Sequence, residues 1–250
     1  MAHLRCDFRS ESLDMNTSMT VVLPEGVKQS EVPVVYLLHG LSDNCTGWSR
    51  YTSVERYVRE YGAALVMPEV QRSYYTDMAE GIDYFTYIHD ELPKICRGFF
   101  GFSDSREKNY IMGLSMGGYA ALKCAFTTPE RYAGVAAFSA VADISESVRS
   151  ATEKRQREFR AIFGNIPNIP DNCELFALAG KILSARSLKL YMACGEQDEF
   201  FTSNERLAAY MEKLGADIRF EHWEGIHDWV FWDSAVYRAI KMFFSHRRQQ

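Results

Sequence analysis

Hydrophobic positions change their rhythm along this chain. Over residues 3–8 and 19–23 apolar and polar positions alternate, with polar residues between the two segments, which predicts antiparallel strands at a sheet edge. Afterwards the apolar positions run together at 34–38 (VVYLL), 63–67 (AALVM), 110–112, 135–138 (VAAF) and 188–194 (LKLYMAC). Short, nearly continuous runs rich in branched residues suit strands covered on both faces, as in a parallel sheet sandwiched by helices. Residues 218–223 make a further candidate strand, and helical periodicity fills the gaps over 48–61, 84–99, 117–126, 203–214 and 229–244. Pro93 inside the second helical segment predicts a kink or a break there. The alternation of strand and helix predicts an α/β fold with a mostly parallel, doubly wound sheet.

The rhythm is interrupted between Asp143 and Ala185 by a charged stretch (EKRQREFRAIFG), a proline pair around Asn168 and another short helix. Two readings of this helical insertion stay open, a solvated surface helix pair and a cap over an active site. Nothing between the segments resembles a linker, so residues 1–250 are read as a single domain with the insertion at about 143–185.

Composition narrows the class. At 47% hydrophobic and 14% aromatic the chain has ample material for a core, and a net charge of -5 supplies no basic field for nucleic acid or an anionic membrane. No secretory signal and no apolar run approaching a membrane span is visible, so a cytoplasmic location is expected. The six cysteines are scattered without a CxxC pair, which predicts free thiols, and the sequons at Asn16 and Asn44 then go unmodified. The histidines show no HxH or HExxH spacing, so no metal or other cofactor is expected, and GLSMGG lacks the lysine of a phosphate-binding loop.

Chemistry concentrates in NYIMGLSMGGYA, residues 109–120, where an apolar run meets Gly113, Ser115, Gly117 and Gly118 before a helical stretch. A strand, a sharp turn and a helix follow, with Ser115 at the apex and small residues on both flanks. A serine hydroxyl needs a base, a group to orient that base, and donors for the developing oxyanion. On such a sheet the chain order is serine, acid, histidine. Of the downstream histidines, His246 lies in a basic tail and His222 inside a strand, whereas His227 follows Gly225 in the loop before the last helix. His227 is therefore the expected base. CGEQDEFF offers Glu196, Asp198 and Glu199, and Asp198, a few residues past the strand end, is the expected acid.

The expected oxyanion donors are the backbone amides of Met116 and Leu41, the latter after Gly40 in the loop that begins with His39. His39 precedes the serine and abuts a strand end, which predicts a structural role in that loop. Trp48, Arg72, Tyr74, Tyr75, Phe200, Phe201 and Trp229 are aromatic or polar residues on neighbouring loops that could shape a substrate pocket.

HGLSDNCTGW, PEVQRSYYTDM, GLSMGGYAAL, CGEQDEF and GIHDWVFWD together resemble the bacterial tributyrin esterase group of the esterase D-like α/β-hydrolases, whose relatives include acetyl, feruloyl and S-formylglutathione esterases. The resemblance runs from about Val34 to the last helix and implies an α/β-hydrolase fold. It puts Ser115, Asp198 and His227 on the family's triad and Leu41 and Met116 on its oxyanion-hole amides. It also implies hydrolysis of small esters, acetyl to butyryl, with sugar acetates or phenolic acyl esters in some members, and assembly into homo-dimers or homo-tetramers. Acyl transfer uses the same constellation and stays open as an alternative, as does a non-catalytic scaffold on the same fold.

Overall fold

The apolar runs become the strands of one sheet. In the computed structural model, which describes residues 1–180 and 188–247, those strands are β1 (Ala2–Ser10), β2 (Met15–Leu23), β3 (Val34–Leu38), β4 (Ala64–Pro68), β5 (Asn109–Leu114), β6 (Gly134–Phe138), β7 (Lys189–Gly195) and β8 (Asp217–Trp223). Their order across the sheet is β1-β2-β4-β3-β5-β6-β7-β8. β1 pairs with β2, and β2 with β4, in antiparallel register, while the remaining neighbours are parallel. This is the α/β-hydrolase arrangement, with the antiparallel strands at the amino end.

Successive residues of the central strands feed opposite cores, which explains their unbroken hydrophobicity. On one face Tyr36, Ile111, Val135 and Met192 pack with Tyr119, Leu122 and Leu207. On the other, Leu37, Met112, Ala136 and Tyr191 pack with Val54, Val58, Val236 and Ile240. Each strand is thus sealed from water on both sides.

The helices, in chain order, are α1 (Gly47–Tyr51), α2 (Val54–Arg59), α3 (Tyr84–Thr86), α4 (Leu92–Phe100), α5 (Met116–Thr127), α6 (Ile144–Arg149), α7 (Glu153–Phe163), α8 (Leu175–Ala179), α9 (Phe201–Lys213) and α10 (Trp229–Phe244). Two differ from the sequence expectation. The helix expected over 48–61 is broken into α1 and α2 because Thr52 adopts extended backbone and turns its hydroxyl onto the Trp48 carbonyl. Short hydroxyl side chains compete with helical hydrogen bonds in this way. Ahead of Pro93, α3 and α4 are joined by a π-helical turn, Tyr87–Glu91. Pro93 has no N–H for the carbonyl four residues back, that of His89, and the Arg131 guanidinium donates to that oxygen instead.

The insertion contributes α6, α7 and α8. Asp143 caps α6 by accepting from the Glu146 amide, and Thr152 caps α7 by accepting from the Arg155 amide. Residues 181–187, which include the end of the expected insertion, lie outside the described residues. Among the described residues no helix is long and apolar enough to cross a membrane, and all six cysteines are unpaired.

Candidate active site

Ser115 occupies the turn between β5 and α5 with φ 52° and ψ −117°, a backbone conformation that costs a non-glycine residue energy. The turn is forced by close approach of backbone to backbone. A Cβ on Gly113 would lie 2.3 Å from the Gly117 carbonyl oxygen, and one on Gly117 would lie 2.4 Å from that of Leu38. The strained residue is held on both sides, since its amide donates to the Phe138 carbonyl at 2.8 Å and its carbonyl accepts from the amides of Tyr119 and Val141.

His227 arrives from the loop after β8 and Asp198 from the loop after β7. A Cβ on Gly195 would lie 2.3 Å from the Gly225 carbonyl oxygen, so only glycine lets these loops touch. Gln197 then fastens them, its amide donating to the Gly225 carbonyl at 3.0 Å and its side-chain oxygen accepting from the Gly225 amide at 2.8 Å. Asp228 caps α10 by accepting from the Phe231 amide, which fixes where the His227 loop ends.

These supports bring three side chains into line. His227 Nε2 stands 3.0 Å from Ser115 Oγ, and His227 Nδ1 stands 2.9 Å from Asp198 Oδ2. An ionised carboxylate only accepts, so Nδ1 carries the proton and Nε2 is left to accept from the serine hydroxyl. Burial pushes the Asp198 carboxyl up, but the His227 hydrogen bond and charge, the Phe200 amide and the Ser139 hydroxyl outweigh it and hold the group below its ordinary pKa. The imidazole ring is boxed edge-on by Phe200 and Trp232, with centroids 5.2 and 4.8 Å away.

A cavity of about 580 Å³ opens over Ser115 and His227. Its walls include Gly40, Leu41 and Asp43 from the loop after β3, Tyr74, Phe200 and Trp232, and Ser150, Thr152, Arg155 and Phe159 from the insertion. Met116 opens α5, and first-turn amides have no acceptor within their own helix. Its amide therefore adjoins the serine with its donor uncommitted by helix geometry, and Leu41 stands on the cavity wall. His39 is 1% exposed; its Nδ1 donates to the Gly40 carbonyl at 2.8 Å while its Nε2 accepts from the Val70 amide at 3.2 Å, so it braces the loop that carries Leu41.

Of the expected pocket residues, Tyr74 and Phe200 wall the cavity. Trp48, Tyr75 and Trp229 do not. Trp48 is buried in the core beneath β3, its indole N–H donating to the Leu38 carbonyl at 3.0 Å. Tyr75 is fully buried behind the same loop and donates to the His39 carbonyl at 2.9 Å. Trp229 packs edge-on against Trp48 and Trp232, with ring centroids 5.3 Å apart in each pair. Aromatic residues just past strand ends fill the core as readily as they face a ligand, and here the strand ends needed filling. Arg72 pairs with Glu158, and Phe201 packs against Phe220 and His222, so neither reaches the cavity. His222 pairs with Glu196 at 2.9 Å, away from Ser115.

Several residues at the site were not singled out from the sequence. Asn204, in α9, bonds both the amide and the carbonyl of Ala140, tying the loop after β6 to the Asp198 loop. Asp43 presents a half-buried carboxyl to the cavity, and burial raises its pKa. Arg155 donates to the Tyr74 hydroxyl at 2.7 Å and pairs with Glu158, and its guanidinium lies over the Phe159 ring at 4.4 Å. No single-sequence signal marks these partners, because each is defined by a contact across the fold.

A strained serine at a strand-helix turn, aligned with a histidine and a buried aspartate on this sheet, defines a serine hydrolase. Residues 10–243 match the model of the family described as "Putative esterase", and the chain belongs to this esterase family. It is 29% identical to an acetyl esterase from Caldicellulosiruptor saccharolyticus over 96% of this chain and 97% of that one. Among solved structures it is similar to the fluorophosphonate-binding serine hydrolase FphF of Staphylococcus aureus, with a TM-score of 0.88 and 32% identity over 97% of this chain and 98% of that one. The S-formylglutathione hydrolase FrmB of the same organism superposes with a TM-score of 0.86, also at 32% identity, over 97% and 98% of the two chains.

Proposed function

We propose that this protein is a carboxylesterase for short-chain acyl esters, acting through an acyl-enzyme on Ser115. Ser115 Oγ attacks the ester carbonyl as His227 Nε2 takes its proton, and Asp198 holds the imidazole in the correct tautomer and stabilises the imidazolium. The amides of Met116 and Leu41 donate to the oxyanion of the tetrahedral intermediate. His227 returns the proton to the leaving alkoxide, and water repeats the sequence on the acyl-enzyme to release the acid.

The observation that carries this reading is the continuous relay from Ser115 to His227 at 3.0 Å and on to Asp198 at 2.9 Å, at the floor of a cavity. The similarity to an acetyl esterase supports a short acyl group. The cavity walls support a division of labour, with Phe159 and Phe200 near apolar substrate atoms and Ser150, Thr152 and Arg155 near polar ones. Because α7 supplies Arg155 and Phe159, the helical insertion is assigned as a cap within a single domain. Six unpaired cysteines fit a reducing cytoplasm.

The test is a panel of nitrophenyl esters varied in acyl length, together with alkyl and sugar acetates of common acyl group. Acetyl to butyryl esters should turn over best, with neighbouring chain lengths within about 10–200-fold of one another, since one methylene contributes only ~1–3 kcal/mol. Preference for octanoyl or longer chains would contradict the short-chain assignment. A second reading, thioester hydrolysis, is favoured by the similarity to an S-formylglutathione hydrolase; including S-formylglutathione in the panel separates the two by kcat/KM.

A further inference from the structure

Helix α5 carries a charged side chain that the Ser115 chemistry leaves unused. Lys123 is only 3% exposed, on a helix whose neighbouring positions Leu122 and Cys124 are fully buried. Its ammonium donates to Thr76 Oγ1 at 3.1 Å and to Cys173 Sγ at 3.7 Å, and lies 4.6 Å from the centroid of the Phe85 ring. An ammonium has three N–H donors, and thiol sulfur is a weak acceptor, so two neutral partners leave this charge incompletely satisfied. Asp77 acts on it only through space, its two carboxylate oxygens being engaged by the amide and hydroxyl of Thr86. Among the described residues no carboxylate pairs with Lys123, and burial pushes its pKa down. A methionine or leucine there would pack without that cost.

Beside Lys123 opens a cavity of about 700 Å³, bounded by α5, by α7 and by the turn at Cys173. It shares no lining residue with the cavity over Ser115. Its walls include Phe85, Phe126, Ile162, Phe163 and Leu178 beside the buried Lys123. The carboxylates that border it, Asp77 and Glu130, are both solvent-exposed.

We propose that this cavity is a second binding site, distinct from the Ser115 cavity, that takes a small monocarboxylate with an apolar body. The carboxylate accepts from the Lys123 ammonium, the Thr76 hydroxyl being engaged as a donor to the Tyr74 carbonyl at 3.0 Å, and the apolar body lies along Phe126, Ile162 and Phe163. A single ammonium matches a monoanion. A phosphate dianion would meet too few donors, and a neutral apolar molecule would leave the cation as it is. The site is independent of the chemistry assigned to Ser115.

The probe is hexanoate, titrated calorimetrically into the full chain, with hexanol as the uncharged control. The expected result is one equivalent bound with a Kd of about 1 mM or tighter, and hexanol bound at least tenfold more weakly. Lys123→Met should weaken hexanoate at least tenfold while leaving ester turnover unchanged. Should that variant fail to fold, the comparison of hexanoate with hexanol on the unaltered protein decides alone. Absence of saturable hexanoate binding, equal affinity for hexanol, or full affinity in a folded Lys123→Met would each overturn the proposal. Repeating the titration after fluorophosphonate treatment separates the two cavities. Loss of hexanoate binding upon labelling places the ligand over Ser115 and also overturns the second site, whereas failure to label counts against the Ser115 assignment alone.

Discussion

Trp232 Nε1 donates to Ser139 Oγ at 3.1 Å, and the Ser139 hydroxyl is among the groups that hold the Asp198 carboxyl below its ordinary pKa. This fully buried hydroxyl thus ties α10 to the end of β6 and acts on the acid. Replacing this hydroxyl removes a group that lowers the Asp198 pKa and leaves the Trp232 N–H without its acceptor. Ser139→Ala should cost about 1–3 kcal/mol of stability by urea denaturation. With that hydroxyl gone, burial moves the Asp198 pKa upward, and kcat should fall by about tenfold with KM little changed. A fully stable and fully active Ser139→Ala would remove this hydroxyl from the account.

Two glycine substitutions should have opposite signs. A Cβ on Gly117 meets the backbone oxygens of Leu38 and His39 at 2.4 and 2.6 Å, and backbone there cannot yield without opening the serine turn. Gly117→Ala should therefore destabilise by about 3 kcal/mol or more and abolish turnover. Gly98 is exposed within α4 and nothing lies within 4 Å of its added Cβ. Gly98→Ala should stabilise by about 0.5–1 kcal/mol, because alanine loses less backbone entropy in a helix. Thermal melts of the two variants check both signs.

How far the site was legible follows from the reach of each signal. β3 and α10 have the bounds their hydrophobic patterns predicted, because both elements bury what they display. The serine turn was legible because Gly113 and Gly117 answer to backbone only a few residues away or one strand over. Trp48, Tyr75 and Trp229 were misplaced because a ring's direction depends on what the third dimension leaves unfilled. Ser139, Asn204 and Gln197 bind partners in distant elements, and no spacing rule reaches across those separations.

His39 offers a pH test of the loop that carries Leu41. Burial holds its pKa below the ordinary value, outweighing the Gly40 hydrogen bond and the Glu69 charge, whereas the unfolded chain titrates at about 6.5. Protons therefore bind the unfolded state more tightly, so stability present above pH ~6.5 is lost as pH falls through that value toward the lower folded pKa. His39→Asn retains a donor for the Gly40 carbonyl but cannot titrate. Its Tm should be lower at pH 8, yet fall less between pH 7 and pH 5 than that of the unaltered protein. Parallel Tm profiles would contradict a neutral, buried His39.

The most direct test of the account is the turnover of a short-chain nitrophenyl ester by Ser115→Ala, measured beside its circular dichroism. The variant loses only the hydroxyl that stands 3.0 Å from His227 Nε2. Turnover should fall by about 10⁴-fold or more with the spectrum unchanged, leaving only what the oxyanion donors and binding supply. A folded Ser115→Ala that keeps a substantial fraction of its turnover would contradict Ser115 as the nucleophile.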